Sequence, residues 1–189
     1  MILILAIILI LILIVLKNNS MPKLISSYVK FIDLICEKVG RVVMYFVFFM
    51  MFLLILSFVT RNIINFPLMW IIEMAQFTIT AYYLLGGGYS MLTDDHVRMD
   101  LFYGKLSEKG KAKMDVFTSF FLIFYLVLLF VGSITSLIYT IETKQKLFTA
   151  WAPYVWPIKT LMLLGILLML LQAFSTLFKD FAKLKAKNI

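Results

Sequence analysis

The chain has 189 residues, a length expected for one domain. Hydrophobic residues make up 63% of it and charged residues 15%, against about 45–50% and about 25% in soluble domains. A surface so apolar requires lipid as its solvent. The net charge is +8, and the basic residues that produce it lie between apolar stretches. Membrane topology therefore explains the charge better than a nucleic-acid partner does. One cysteine, Cys36, and one histidine, His96, exclude an intramolecular disulfide and cysteine-based or multi-histidine metal clusters. We expect no cofactor.

The N-terminal segment 1–20 begins with an unbroken apolar run, residues 2–16. As a helix this run would reach only about 22 Å, against about 30 Å of hydrocarbon. It has no basic start and no small-residue cleavage site, so it is a poor signal peptide. Three interpretations stay open: a short fifth span helped by Lys17, an uncleaved anchor, or a misassigned start with Met21 as the first residue.

Segment 21–40 has the pattern of an amphipathic helix, with charged residues filling one side. It is too polar to span a membrane, so we expect it to lie in the membrane interface. The alternative is a soluble helix docked on another protein. Gly40 is predicted to end it. The apolar face consists of Leu24, Tyr28, Ile32, Ile35, Cys36 and Val39.

Four later stretches are long and apolar enough to cross a membrane: residues 42–59, 68–92, 116–141 and 160–178. Only the second contains a charge, Glu73. The sequence therefore predicts an all-α integral membrane protein with four transmembrane helices, contained in a domain over 41–189, plus the N-terminal amphipathic interfacial helix.

Lysine and arginine are distributed unequally between the two sides that these spans define. Five precede the first span, five lie between the second and third, and four follow the fourth, so 14 share one side and 4 the other. The positive-inside rule places the larger group in the cytoplasm. We expect a multi-pass membrane protein, with both ends of the four-helix part cytoplasmic.

The loop over 142–157, on the opposite side, is rich in aromatic residues, among them Trp151, Tyr154 and Trp156. Aromatic side chains commonly anchor at the membrane interface, and the alternative is a docking surface for a partner outside. Pro157 suits the first turn of the fourth span, where its missing N–H costs nothing.

The second span carries a polar stripe at helical spacing. Such a face is unsuited to lipid, so we expect it to pack on another helix, in this chain or another one. An ion or substrate pathway is the alternative. The stripe consists of Glu73, Gln76, Thr80, Tyr83, Gly87 and Ser90.

Small residues on three spans indicate close helix packing, which offsets the helix-weakening effect of glycine. Residues 86–88 are three consecutive glycines in the second span. Gly132 and Ser136 form a small-xxx-small pair on the third, and Gly165 and Gln172 share a face of the fourth.

The loop over 93–100 is the densest polar cluster and contains His96, Arg98 and Asp100. As a structural hinge it needs only Arg–Asp pairing at the membrane surface. As an enzyme site it would need a nucleophile or metal with defined partners, and neither is apparent.

Three features of the sequence resemble the small permease subunit of TRAP transporters, the DctQ-like family. They are Trp70-Ile-Ile-Glu73, the glycine-rich second half of the second span, and His96-Val-Arg98-Met-Asp100. The resemblance covers roughly residues 26–181, and the first 20 residues do not belong to its pattern. It implies a three-part importer in the bacterial inner (plasma) membrane, in which a periplasmic binding protein captures an organic acid and a large permease carries it inward on a sodium gradient. The small permease would serve as a scaffold beside the large one.

The resemblance implies structural or interface roles for Trp70, Glu73, His96, Arg98 and Asp100. No substrate ligand is carried over, because in this family the substrate and sodium sites belong to the large subunit. This chain is similar to family branches that handle oxo acids or similar carboxylates in two features: Trp156-Pro157 and the face with Gly165 and Gln172. The implied partners are the large permease, the binding protein and membrane lipids.

Two other functions fit parts of the sequence. A self-sufficient small multidrug-type transporter would work as a dimer sharing Glu73 between two copies. A membrane-bound enzyme would use His96, Asp95 and Asp100 at the cytoplasmic surface and would require a metal or a nucleotide.

Overall fold

The computed structural model describes residues 23–93 and 108–184. These residues form five helices: α1 Lys23–Val43, α2 Phe46–Asn62, α3 Met69–Leu92, α4 Glu108–Glu142 and α5 Trp156–Leu184. The only β pairing within them is one isolated bridge in the loop before α5. The predicted all-α fold is therefore confirmed. The N-terminal segment 1–20 and the motif of His96, Arg98 and Asp100 lie outside the described residues.

Helices are present at all four predicted spans. Among the described residues, three stretches are long and apolar enough to cross a membrane: Ile25–Asn62, Lys113–Glu142 and Trp156–Ala182. Helix α3 has 24 residues and would reach about 36 Å. It is not among these three stretches because its polar stripe lowers its mean hydropathy. The chain is an integral membrane protein with helical spans.

Helices α1 and α2 are nearly continuous, which corrects the prediction for Gly40. Gly40 does not end α1, because the helix runs on to Val43. A tight turn follows at Met44 and Tyr45, where the Tyr45 N–H donates to the carbonyl of Val42 at 3.1 Å. Gly40 instead lies against Tyr89 of α3: a Cβ on Gly40 would come within 2.4–2.6 Å of that side chain. The glycine allows α1 to approach α3.

Successive helices after α1 run in alternating directions. Leu53 of α2 packs with Ile71 and Ala75 at the start of α3, so α2 and α3 are antiparallel. The N-terminal half of α4 packs on the C-terminal half of α5 through Ile123 and Leu177. The C-terminal ends of α3 and α5 therefore lie at the same end of the bundle as α1. This arrangement agrees with the predicted gathering of basic segments on one side.

The apolar side of α1 packs on the protein's own helices. Ile25 and Val29 form a buried cluster with Phe178 of α5, and Cys36, 2% exposed, lies beside Gly88 of α3. The structure thus contains the predicted amphipathic helix, docked on α3 and α5. Its position in a membrane interface stays a prediction.

Candidate subunit interface and helix-docking site

A polar cluster joins α1 to the last helix. The Asp33 carboxylate of α1 accepts hydrogen bonds from Gln172 Nε2 at 3.1 Å and Ser175 Oγ at 3.2 Å, and it forms an ion pair with Lys179 Nζ at 2.7 Å. Gln172 and Ser175 are completely buried, and the Asp33 and Lys179 side chains are 26% and 28% exposed. Three donors on one carboxylate offset its partial burial. The cluster therefore fixes α1 against α5 at a defined register.

A second contact supports the same register. The Tyr28 hydroxyl donates to the backbone carbonyl of Leu171 at 3.2 Å, and the Tyr28 ring meets Phe178 edge-on at 6.3 Å between centroids. The sequence reasoning missed this docking site, although it placed Gln172 on an important face of the fourth span. In the sequence Asp33 belongs to the charged side of this helix, so helical spacing alone did not indicate its contact with the fourth span.

Glu73 is the most unusual residue of the polar stripe. It is 5% exposed, and no described group lies within hydrogen-bond distance of its Oε2. A buried carboxylate oxygen without a donor is energetically costly. The carboxylate is buried by its own chain and is not presented on the lipid-facing surface.

Other members of the stripe lie on the outside of α3. Gln76 is exposed and the Tyr83 side chain is 68% exposed, whereas Thr80 is partly buried and its hydroxyl donates to the carbonyl of Gln76 at 2.8 Å. Trp70, one turn before Glu73, is 37% exposed. Glu73 therefore belongs to the interior and Gly87 is partly buried against α5, while Gln76 and Tyr83 form a polar surface that nothing in the described chain covers.

Glycine contacts hold α3 close to α5. A Cβ on Gly165 would lie 2.8 Å from Leu84 Cβ and 2.9 Å from the Leu84 carbonyl atoms, and one on Gly87 would lie 2.8 Å from Met169 Sδ. The predicted packing roles of Gly165 and Gly87 agree with these contacts. Gly132 differs, because no described atom lies within 4 Å of its added Cβ. A partner for Gly132 on another subunit stays a prediction.

The loop between α4 and α5 is folded into a short hairpin. The Leu147 N–H donates to the Pro153 carbonyl at 3.0 Å, and Lys146 lies 4.8 Å above the Tyr154 ring. Its predicted aromatic residues face outward, with Trp151 45% and Trp156 50% exposed. Pro157 lies in the first turn of α5, as predicted.

Lys159 fastens this end of the bundle. Its ammonium donates to the Thr140 hydroxyl at 2.5 Å and to the Ser136 carbonyl at 3.4 Å, both in the last turns of α4. A cation at the C-terminal end of a helix also interacts favourably with the helix dipole. Lys159 therefore has a structural role between α4 and α5.

Residues 23–93 and 108–184 contain no group of three histidine, cysteine or acidic side chains that could hold a metal ion. What they contain is a helical membrane bundle with a docked amphipathic helix and one uncovered polar face. Such features are typical of a membrane subunit that packs against other helices.

The comparison with protein families specifies this class. The model described as "Tripartite ATP-independent periplasmic transporters, DctQ component" matches residues 32–183. The chain therefore belongs to the DctQ family, the small membrane component of TRAP transporters, and is a transporter component, not an enzyme. No curated protein matches the chain.

Proposed function

We propose that this chain is a scaffold beside the large permease of its transporter and supports sodium-driven uptake of an organic acid such as a dicarboxylate or an oxo acid. The observation that carries the proposal is the polar surface of Gln76 and Tyr83 on α3, which the chain itself leaves uncovered. In lipid, polar side chains gain from hydrogen-bonding across a helix–helix contact. A helix of the large permease would supply that contact.

Burial of the single acidic residue within the predicted spans supports a scaffold role. A carrier needs a site that substrate or ions reach from water, commonly at broken helices near the middle of the membrane. Glu73 is 5% exposed, and helix α3 is continuous from Met69 to Leu92. We therefore assign Glu73 a role in helix packing within this chain, and place substrate and sodium binding on the large permease.

The two ends of the bundle receive different roles. The end with α1 faces the cytoplasm of a bacterial cell, in line with the 14 basic residues assigned to that side. There His96, Arg98 and Asp100 take structural or interface roles. The opposite end, with exposed Trp151 and Trp156, faces the periplasmic binding protein that delivers the substrate.

The alternative is a dimeric transporter that shares Glu73 between two copies. Burial of Glu73 by its own chain weighs against this alternative, because a shared carboxylate must reach the dimer interface. Transport by the chain alone would favour it.

The test compares Gln76→Leu together with Tyr83→Phe, which removes the uncovered polar surface, with Glu142→Gln, an exposed carboxylate at the end of α4. Each variant is expressed with the large permease, and both the recovered complex and the uptake of substrate by cells are measured. We expect the double substitution to reduce complex recovery and uptake in proportion, and Glu142→Gln to leave both unchanged. Full recovery of the complex with uptake abolished would contradict the scaffold role.

A further inference from the structure

A groove of about 550 Å³ lies between the C-terminal part of α1 and the C-terminal half of α3. Its volume falls in the range of small-molecule sites, about 300–1,000 Å³. Glu37 and Arg41 of α1 line one side, and Tyr82, Tyr83 and Tyr89 of α3 line the other. The floor includes Gly86 and Gly87. A Cβ on Gly86 would meet only Val43, at 3.8 Å, so this glycine leaves space in the groove, whereas the corresponding position on Gly87 faces Met169 of α5. The packing of the bundle does not account for this groove.

The groove carries one charge of each sign. Arg41 Nη2 donates to Glu37 Oε1 at 2.7 Å, and the two side chains are 69% and 54% exposed. A guanidinium has five N–H donors and a carboxylate two acceptor oxygens, so both groups retain capacity for a ligand. A ligand with a negative and a positive group close together would match the pair, whereas a purely anionic ligand would meet the Glu37 carboxylate.

The tyrosines add a preference for a cation. Tyr82 and Tyr83 are in edge contact at 5.4 Å between ring centroids, and their rings line the groove with that of Tyr89. An ammonium within about 6 Å of an aromatic face is attracted to it. Arg41 thus suits the negative group of the ligand, while Glu37 and the tyrosines suit an ammonium.

The position of the groove indicates that such a ligand would come from the membrane. Before the groove, α1 exposes charged residues such as Lys30 and Lys38; after it, residues 44–60 contain no charge, and Phe48 and Phe52 are 64% and 60% exposed. The surface therefore changes from charged to apolar at Arg41 and Met44. In a membrane, a boundary of this kind lies at the level of the phospholipid headgroups, and the acyl chains lie along the apolar side.

We propose that the groove binds one phospholipid whose headgroup carries a phosphate and a protonated primary amine. The phosphate binds Arg41, and the ammonium binds Glu37 and the rings of Tyr82 and Tyr89, so Tyr83 stays available to the large permease. Val43 and Met44, which also line the groove, contact the first part of the acyl chains. The bound lipid fills the space between α1 and α3 and stabilises the docked position of α1.

Native mass spectrometry of the full chain tests this proposal, with phosphatidylethanolamine and phosphatidylglycerol added separately to delipidated protein. We expect one phosphatidylethanolamine per chain, bound more tightly than phosphatidylglycerol. Arg41→Gln should weaken the bound ethanolamine lipid by about tenfold or more, the effect of losing a hydrogen bond to a charged group. Glu37→Gln should remove the preference for the ethanolamine headgroup. Arg61→Gln, an exposed arginine at the end of α2, should change neither.

Three results would overturn the proposal. Equal affinity of both lipids for the unaltered chain would show that headgroup charge is not recognised. Equal weakening by Arg41→Gln and Arg61→Gln would indicate general lipid association. A complex with the large permease that retains no ethanolamine lipid would show that protein fills the groove. Formation of that complex is scored separately, so failure of the lipid proposal is distinguishable from failure of the scaffold role.

Discussion

Replacing Gly165 by alanine tests the closest contact between α3 and α5. The new Cβ would lie 2.8 Å from Leu84 Cβ and 2.9 Å from the Leu84 carbonyl carbon and oxygen. Carbon atoms prefer a separation of about 3.5–4.0 Å, so the helices would have to separate by about 0.7 Å at this point. The atoms involved are backbone and Cβ, which cannot rotate away. Overpacking of this kind costs about 1–3 kcal/mol.

Alanine also favours a helix over glycine by up to about 1 kcal/mol, and this gain would hide part of the cost. Gly132→Ala provides the matched control, because no described atom lies within 4 Å of its added Cβ. The propensity gain is shared by both variants and cancels in their difference. We therefore expect Gly165→Ala to be less stable than Gly132→Ala by about 1–3 kcal/mol.

The assay is equilibrium unfolding of the full chain in mixed micelles, followed by the fluorescence of its three tryptophans. Equal stability of the two variants would refute the packing argument at Gly165. A loss in Gly132→Ala that appears only in the presence of the large permease would instead identify Gly132 as a subunit contact.

Three further substitutions test other contacts in the same unfolding assay. Gly87→Ala should cost less than Gly165→Ala, because the added Cβ meets the flexible end of Met169; a larger cost would contradict this reasoning. Asp33→Ala should lower stability by about 2 kcal/mol, since it leaves the buried amide of Gln172 without its acceptor, and an unchanged stability would show that α1 docks through apolar contacts alone. Lys159→Met should lower it by about 1 kcal/mol through loss of its hydrogen bond to the end of α4, and no change would remove its structural role.

The fold was largely predictable because lipid imposes strong rules on sequence. Long apolar stretches predicted the helices, and the polar pattern of residues 21–40 predicted the amphipathic helix α1. The unequal distribution of basic residues predicted that α1 and the C-terminal end of α5 share a side. These features are local, so they can be read from single segments of the chain.

Contacts between distant segments were harder to predict. Asp33 and Gln172 are 139 residues apart, and helical periodicity alone does not pair them. The same applies to Gly40, which has the composition of a helix end but serves as the space for Tyr89. For Gly132 the packing role stays a prediction, because spacing along one helix does not say which neighbour, if any, approaches it. Glu73 was placed on a polar stripe, but its burial apart from Gln76 and Tyr83 depends on where α3 contacts the bundle.

Co-purification tests the central claim most directly. The tagged full chain is purified from its native host in a mild detergent, and the proteins recovered with it are identified and quantified by mass spectrometry. The scaffold role predicts one large polytopic permease at a ratio near one to one, and Gln76→Leu together with Tyr83→Phe should lower its recovery. Recovery of the chain alone as a dimer would contradict that role and place Glu73 at the centre of a transport mechanism.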